Sequence, residues 1–347
     1  MNKNAIAGTD GNKYVPYAER TGEVSVVYFT RDLSAEGLKK IYDRVSGGMS
    51  GKVAVKVHTG EPEGPNIIPC AWIRELLQEK LPQATLIETN TLYAGGRYTA
   101  DVHRKTLEVN GWDFCPVDIT DEHGVAELPV QGGKWFDVMH VGENMLKYDS
   151  LLTLTHFKGH TMGGFGGSNK NLGIGCADGR IGKAEIHSTL TTKNLFDIDK
   201  EELMERISES AKATVDYFGE HNAFINVMRN MSVSCDCEGC MAEPVQTPDV
   251  GILASLDILA VDQACVDLIY NLPADGGQHM IRRMESRRGL RQLSYMKELG
   301  MGNDRYVLVD IDNEDAEITA ADAASDIEPE WTPDIYNTFP GRNKVRV

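Results

Sequence analysis

Apolar positions along the chain follow two periods. Short apolar runs rich in β-branched residues read as strands: VSVVYF (24–29), KVAVKVH (52–58), ATLIET (84–89), FCPVDI (114–119), SLLTLTHF (150–157), HNAFINVMRN (221–230), GILASL (251–256) and RYVLVDI (305–311). KWFDVMHV (134–141) reads as a further extended stretch. Between the runs, apolar residues recur at helical spacing over 34–49, 68–80, 99–110, 199–218 and 259–270, with two shorter helical patterns within 277–299. This alternation predicts an α/β fold, a mostly parallel sheet flanked by helices.

At 347 residues the chain exceeds the usual size of one domain, so two lobes are expected. Residues 1–22 are polar, interrupted by Gly and Pro, and read as an extended N-terminal arm. Residues 23–230 form an α/β lobe with a glycine-rich loop at 158–182; residues 231–347 hold a cysteine-cluster segment and a C-terminal α/β lobe with an irregular end. In such a sheet, binding residues collect where strands end in loops.

The net charge of −17 opposes binding to nucleic acid or to an anionic membrane surface. No stretch approaches the roughly 18 apolar residues of a spanning helix, and the N-terminus lacks an apolar signal region. Seven cysteines, an odd and bunched set, do not read as a disulfide framework. A cytoplasmic, reducing location is expected.

SCDCEGC places Cys235, Cys237 and Cys240 within six residues. In extended backbone Cys235 and Cys237 share a face, and Gly239 leaves the chain free to fold Cys240 back toward them. Thiolates suit an iron–sulfur cluster, the cofactor favoured here, or alternatively zinc. Three ligands are visible; Cys176, Cys265 or a histidine would be the fourth, although Cys265 lies in an apolar helical pattern and reads as a buried small hydrophobe.

The segment THFKGHTMGGFGGSNKNLGIG lacks the Walker spacing and reads instead as a backbone rich in N–H donors, with Lys158 and Lys170 as cations for a small anionic ligand. His160, Lys170 and His187 are the candidate catalytic groups, with Asn169 and Arg180 as substrate contacts. The loop HTGEPEGPN (58–66) follows another strand and adds His58 and Glu61; ETNTLYAGGRYT (88–99) adds Arg97. In a parallel sheet these loops open on one edge.

VAVKVHTGEPEGPNIIP, LTLTHFKGHTMGGFGGSNKNLGIG and DVGILASLDILAVDQACVDL resemble, in order and spacing, the domain of unknown function 362 family. Members of that family often carry a ferredoxin-type insert, and here SCDCEGC stands in its neighbourhood. The glycine-rich segment is also similar, more distantly, to the lactate racemase family. That resemblance implies Lys170 as an attachment point for a nickel-pincer nucleotide, His187 as a metal ligand and His160 as a general acid/base, while HTGEP stands where that family has a D-x-T-R element.

The leading expectation is an iron–sulfur redox enzyme acting on a small anionic molecule, with a redox partner protein and a homo-oligomeric state in view. The alternatives are a racemase-like or lyase-like enzyme using His and Lys acid–base chemistry with a structural zinc, and a non-catalytic metal-binding or assembly protein.

Overall fold

In the computed structural model, residues 11–189, 191 and 194–333 are described. The strands are β1 (Val24–Thr30), β2 (Val53–Lys56), β3 (Thr85–Glu88), β4 (Val117–Ile119), β5 (Val125–Pro129), β6 (Val138–Gly142), β7 (Ser150–His156), β8 (Lys158–His160), β9 (Gly164–Gly166), β10 (Asn222–Met228), β11 (Gly251–Ser255), β12 (Arg305–Asp310) and β13 (Ala316–Ile318). The helices are α1 (Ala35–Val45), α2 (Cys70–Lys80), α3 (Ala100–Asn110), α4 (Ser168–Gly175), α5 (Gly182–Ile186), α6 (Lys200–Phe218), α7 (Ile258–Asn271), α8 (Gln278–Ser286), α9 (Arg291–Glu298) and α10 (Ala320–Ala324).

One nine-stranded sheet runs in the order β13-β12-β1-β11-β10-β7-β2-β3-β4. Its central strands β10, β7, β2, β3 and β4 are mutually parallel, and β1 is parallel to β12. β11 runs antiparallel to both its neighbours, and β13 to β12. The fold is the expected α/β, mostly parallel sheet. The boundary drawn after residue 230 falls between two strands, β10 and β11, that pair in this sheet.

Alternation along the strands feeds two apolar layers. Val53, Val55, Leu152, Leu154, Ile225 and Val227 face α1 and α2 in one core; Ala54, Leu151, Phe224 and Met228 face α6 and α7 in the other. Both faces are covered, which is why these strands read as continuous apolar runs. The N-terminal arm, from residue 11, packs on its own chain: Arg20 forms a buried ion pair with Asp267 at 2.5 Å, and Tyr14 stacks on Tyr270 with ring centroids 3.9 Å apart.

The glycine-rich segment expected to be a loop is largely regular. It folds as the β8–β9 hairpin followed by α4. The Asp262 carboxylate on α7 accepts the N–H groups of Ser168 and Asn169 at 2.7 and 2.9 Å, taking the place of a local cap for α4. A Cβ on Gly167 would lie 2.4 Å from Asp262 Oδ1, and one on Gly173 would lie 2.3 Å from the Ile207 carbonyl of α6. These glycines serve close packing of α4 against α6 and α7.

Gly167→Ala should therefore lower unfolding free energy by about 1–3 kcal/mol, the usual cost of overpacking, as measured by urea denaturation. His103 on α3 supplies a second test. Its ring is fully buried with no partner for either nitrogen among the described residues, and burial pulls its pKa down to about 3. The unfolded chain therefore takes up a proton that the folded chain refuses between pH 6.5 and 3, and stability falls with pH there by about 1.4 kcal/mol per unit. His103→Leu should remove that slope while leaving stability at pH 7.5 no lower.

Candidate functional site

The site forms at the C-terminal ends of four adjacent parallel strands. His58 follows β2; Glu88 ends β3; His156 ends β7 and leads through Lys158 to His160; Cys235 lies seven residues beyond Met228, the end of β10. The loops therefore converge on one crevice, as the parallel arrangement requires.

Two buried ionic clusters hold these loops. Asp236 accepts from His156 Nδ1 at 2.9 Å and pairs with Lys158 at 3.1 Å, all three side chains being almost wholly buried. Burial alone would raise its pKa, but His156 and Lys158 hold it well below the usual carboxylate range. Glu88 pairs with Lys56 at 2.9 Å, accepts the Thr59 N–H at 2.9 Å, and lies 3.6 Å from both His58 Nδ1 and Arg97. Its pKa is also held down, against burial, by Lys56, His58 and Arg97.

Against these clusters sits a compact turn, Asp236–Met241, whose N-terminal cap is Cys235. The Cys235 sulfur accepts the Cys237 N–H at 3.3 Å, and Glu238 reaches back to the Cys235 N–H at 3.1 Å. His58 Nε2 lies 3.9 Å from Cys235 Sγ, and His160 Nε2 lies 3.8 Å from Cys237 Sγ. The donor atoms of His160, Cys235 and Cys237 are all within 4.8 Å of one another, close enough to hold one metal ion. A single ion bound to sulfur at about 2.3 Å and nitrogen at about 2.0 Å sets ligand atoms roughly 3.5–3.8 Å apart, so the spacing fits.

Electrostatics divide the two thiols. Burial would raise Cys235, but hydrogen bonds from Cys237, His160 and His58 outweigh it and hold its pKa well below the ordinary thiol range. Cys237 is pushed well above, first by its hydrogen bond to Cys235 and then by burial. The pair thus carries one negative charge in the metal-free protein. His160 Nδ1 accepts the N–H groups of Met162 and Gly163 at 3.1 and 2.9 Å, so its neutral ring carries the proton on Nε2, toward the thiols.

Cys240 does not join the group. Gly239 adopts φ +55°, and the turn carries Cys240 to the surface, where its thiol faces the Glu63 carbonyl at 3.5 Å. Cys176 and Cys265 are buried apart in the apolar core, where burial raises both thiol pKa values, that of Cys176 to about 11.

The thiols border a cavity of about 340 Å³ that also takes in His58, Arg97, His160, Lys170 and His187 from the expected set. Burial lowers the pKa of Lys170 and brings His187 down to about 4, so His187 is neutral near pH 7. His187 Nδ1 bonds the Lys183 carbonyl at 2.8 Å, leaving Nε2 for other partners. Three expected substrate contacts lie outside the cavity. Glu61 is engaged by Arg97 at 2.9 Å and Tyr93 at 2.8 Å. Asn169 is buried and bonds Ser208 and Gln292, because its place in the first turn of α4 points it into the helix layer. Arg180 is spent on the backbone carbonyls of Thr91 and Tyr98 and stacks on the Tyr98 ring.

Sequence reasoning missed Asp236, Glu88, Lys56 and Lys183. Lys183 lines the cavity and donates to Thr89 Oγ1 at 2.6 Å and to the Asn90 carbonyl. Asp236 sits inside the cysteine motif itself, and a carboxylate flanked by two thiols was the available signal; Lys56 in an otherwise apolar strand was another.

These features define an α/β protein with a thiol–imidazole centre at the ends of its parallel strands. A family model described as domain of unknown function (DUF362) matches residues 53–267, and the chain belongs to that family. No functionally curated protein matches it. Among solved structures it is similar to the lactate racemase apoprotein of Thermoanaerobacterium thermosaccharolyticum, at 12% identity over 88% of each chain with a TM-score of 0.36. It is also similar to a protein of Thermotoga maritima, at 12% identity and a TM-score of 0.38 over 74% of this chain and 57% of that one. Among the described residues no helix is long and apolar enough to cross a membrane.

Asp236→Ala leaves His156 and Lys158 buried without their counter-charge. The expected loss is about 3–5 kcal/mol in unfolding free energy by urea denaturation, with Cys237 becoming faster to alkylate in the native protein.

Proposed function

We propose that this chain is a metal-dependent enzyme whose centre is one soft ion held by Cys235 and Cys237 with imidazole ligation from His160 and His58, acting on a small anionic substrate in the adjoining cavity. The observation that carries the reading is the convergence of two thiols and an imidazole within 4.8 Å at the wall of a cavity that also holds Lys170 and His187. A set of two sulfurs and two nitrogens suits a single zinc-type ion. A four-iron cluster takes four thiolates, and Cys240 faces away, so the donor set favours one ion over the iron–sulfur cluster expected from the motif. Ligation through Nε2 requires each imidazole to give up the backbone N–H groups its Nδ1 accepts, that of Gly60 at 3.3 Å for His58 and those of Met162 and Gly163 for His160, so that Nδ1 carries the proton. When bound, such an ion would supply Lewis-acid polarisation. Lys170 would hold the substrate's charge and His187, neutral, would take up a proton at Nε2.

A second reading rests on His160. With two backbone N–H groups on Nδ1, its Nε2–H is set to donate to a thiolate, so Cys235 and His160 without metal would form a nucleophile and acid/base pair.

Elemental analysis of anaerobically purified protein separates the two. The expected result is about one equivalent of a soft divalent ion per chain, lost in Cys235→Ser and Cys237→Ser, reduced by His160→Ala and by His58→Ala, and retained in Cys240→Ser. Metal-free protein with a rapidly alkylated Cys235 would favour the second reading. Iron with stoichiometric sulfide and absorption near roughly 400 nm would restore the cluster. Lys170→Ala and His187→Ala should abolish turnover while leaving the melting temperature within about 2 °C of the parent.

A further inference from the structure

The cavity lining combines cations with apolar side chains. The cations are mostly engaged: Lys158 pairs with Asp236, Arg97 with Glu61, and Lys183 donates to Thr89 and Asn90. Lys170 differs. Among the described residues its ammonium has no hydrogen-bond or ion-pair partner, although it lines the cavity. The Cys235 and Cys237 thiols favour its charge only through space, and a ligand anion would supply the direct partner it lacks. His187 Nε2, left without a proton because Nδ1 donates to the Lys183 carbonyl, is an acceptor on the same cavity and does not bind the anion.

Much of the rest of the lining is apolar. Ile174 stands four residues beyond Lys170 on α4, so the two share a face. Leu203 and Ile207, likewise one turn apart on α6, are almost fully buried and line the same space. Met162, Leu195 and Phe196 extend this surface, and Phe196 is 65% exposed. A polar metabolite rich in hydroxyls would leave its groups unpaired against these side chains.

We infer that the cavity takes an amphiphilic monocarboxylate, its carboxylate on Lys170 and its hydrocarbon chain along Ile174, Leu203 and Ile207 toward Phe196. This inference rests on the reading of the cavity as the functional pocket, and names its ligand class. One unengaged ammonium matches one negative charge, and the volume of about 340 Å³ lies within the range of small-molecule sites.

Isothermal titration with butanoate, hexanoate and octanoate tests it, with metal content measured in the same preparations. Affinity should rise about fourfold per added methylene, as burial of each methylene dictates. Lys170→Met should weaken octanoate at least tenfold, and Ile174→Gln should flatten the chain-length series, both with unchanged melting temperature. A series without chain-length dependence, or octanoate binding unaffected in folded Lys170→Met, overturns the inference. Octyl phosphate binding more tightly than octanoate, or octylamine binding equally well, overturns the carboxylate assignment. Metal-free parent protein that still gives the chain-length series overturns the metal centre alone; metal-loaded protein that gives none overturns this inference alone.

Discussion

The Asp262 carboxylate, buried on α7, is the constraint from which the geometry of the cavity follows. It accepts two N–H groups from the first turn of α4 and the Asn226 side-chain amide from β10 at 2.8 Å, so one group ties two helices to the sheet. Burial pushes its pKa up to about 6, against the pull of those donors. Gly167 leaves the space this requires. With α4 fixed, Lys170 and Ile174 are fixed too, one presenting charge to the cavity and the other an apolar wall.

A similar division of labour runs through the thiol side. Asp236 and Glu88 are neither nucleophiles nor ligands in this arrangement; each neutralises buried cations and thereby holds a loop. Asp236 fastens the cysteine turn to the end of β7, and Glu88 fastens His58 and Arg97 to the end of β3. The Cys235 thiolate and Lys170 are among the charged groups of the cavity that these pairings leave without an ion-pair partner among the described residues. Function is thus concentrated in the few groups that the structural ion pairs leave unspent.

Much of this was legible in the chain. Continuous apolar runs identified the central strands because both faces of the sheet are covered, and the candidates His58, His160, Lys170, His187, Cys235 and Cys237 do meet in one place because parallel strands deliver their loops to one edge. The glycine-rich segment misled, since glycine required for helix packing and glycine in a mobile loop look alike without the neighbouring helix. Asn169 and Arg180 were chosen by residue type, yet helix phase turns one into the core and backbone carbonyls claim the other. Cys240 was assigned by proximity in sequence, and one left-handed glycine reversed its direction. The ion pairs were illegible because their partners are separated by long stretches of chain: Lys158 and Asp236 meet only when β7 and β10 pair.

The reversal of β11 has an architectural consequence. Met228 at the end of β10 and Gly251 at the start of β11 are cross-strand partners, so the chain leaves the sheet and re-enters it at the same spot. Everything between them, the cysteine turn included, is an excursion whose length is invisible to the sheet. The scaffold is therefore modular there. A short thiol-bearing turn or an inserted domain can be hung from the same two residues without altering the register of any strand, and the fold keeps one exchangeable socket beside a fixed pocket.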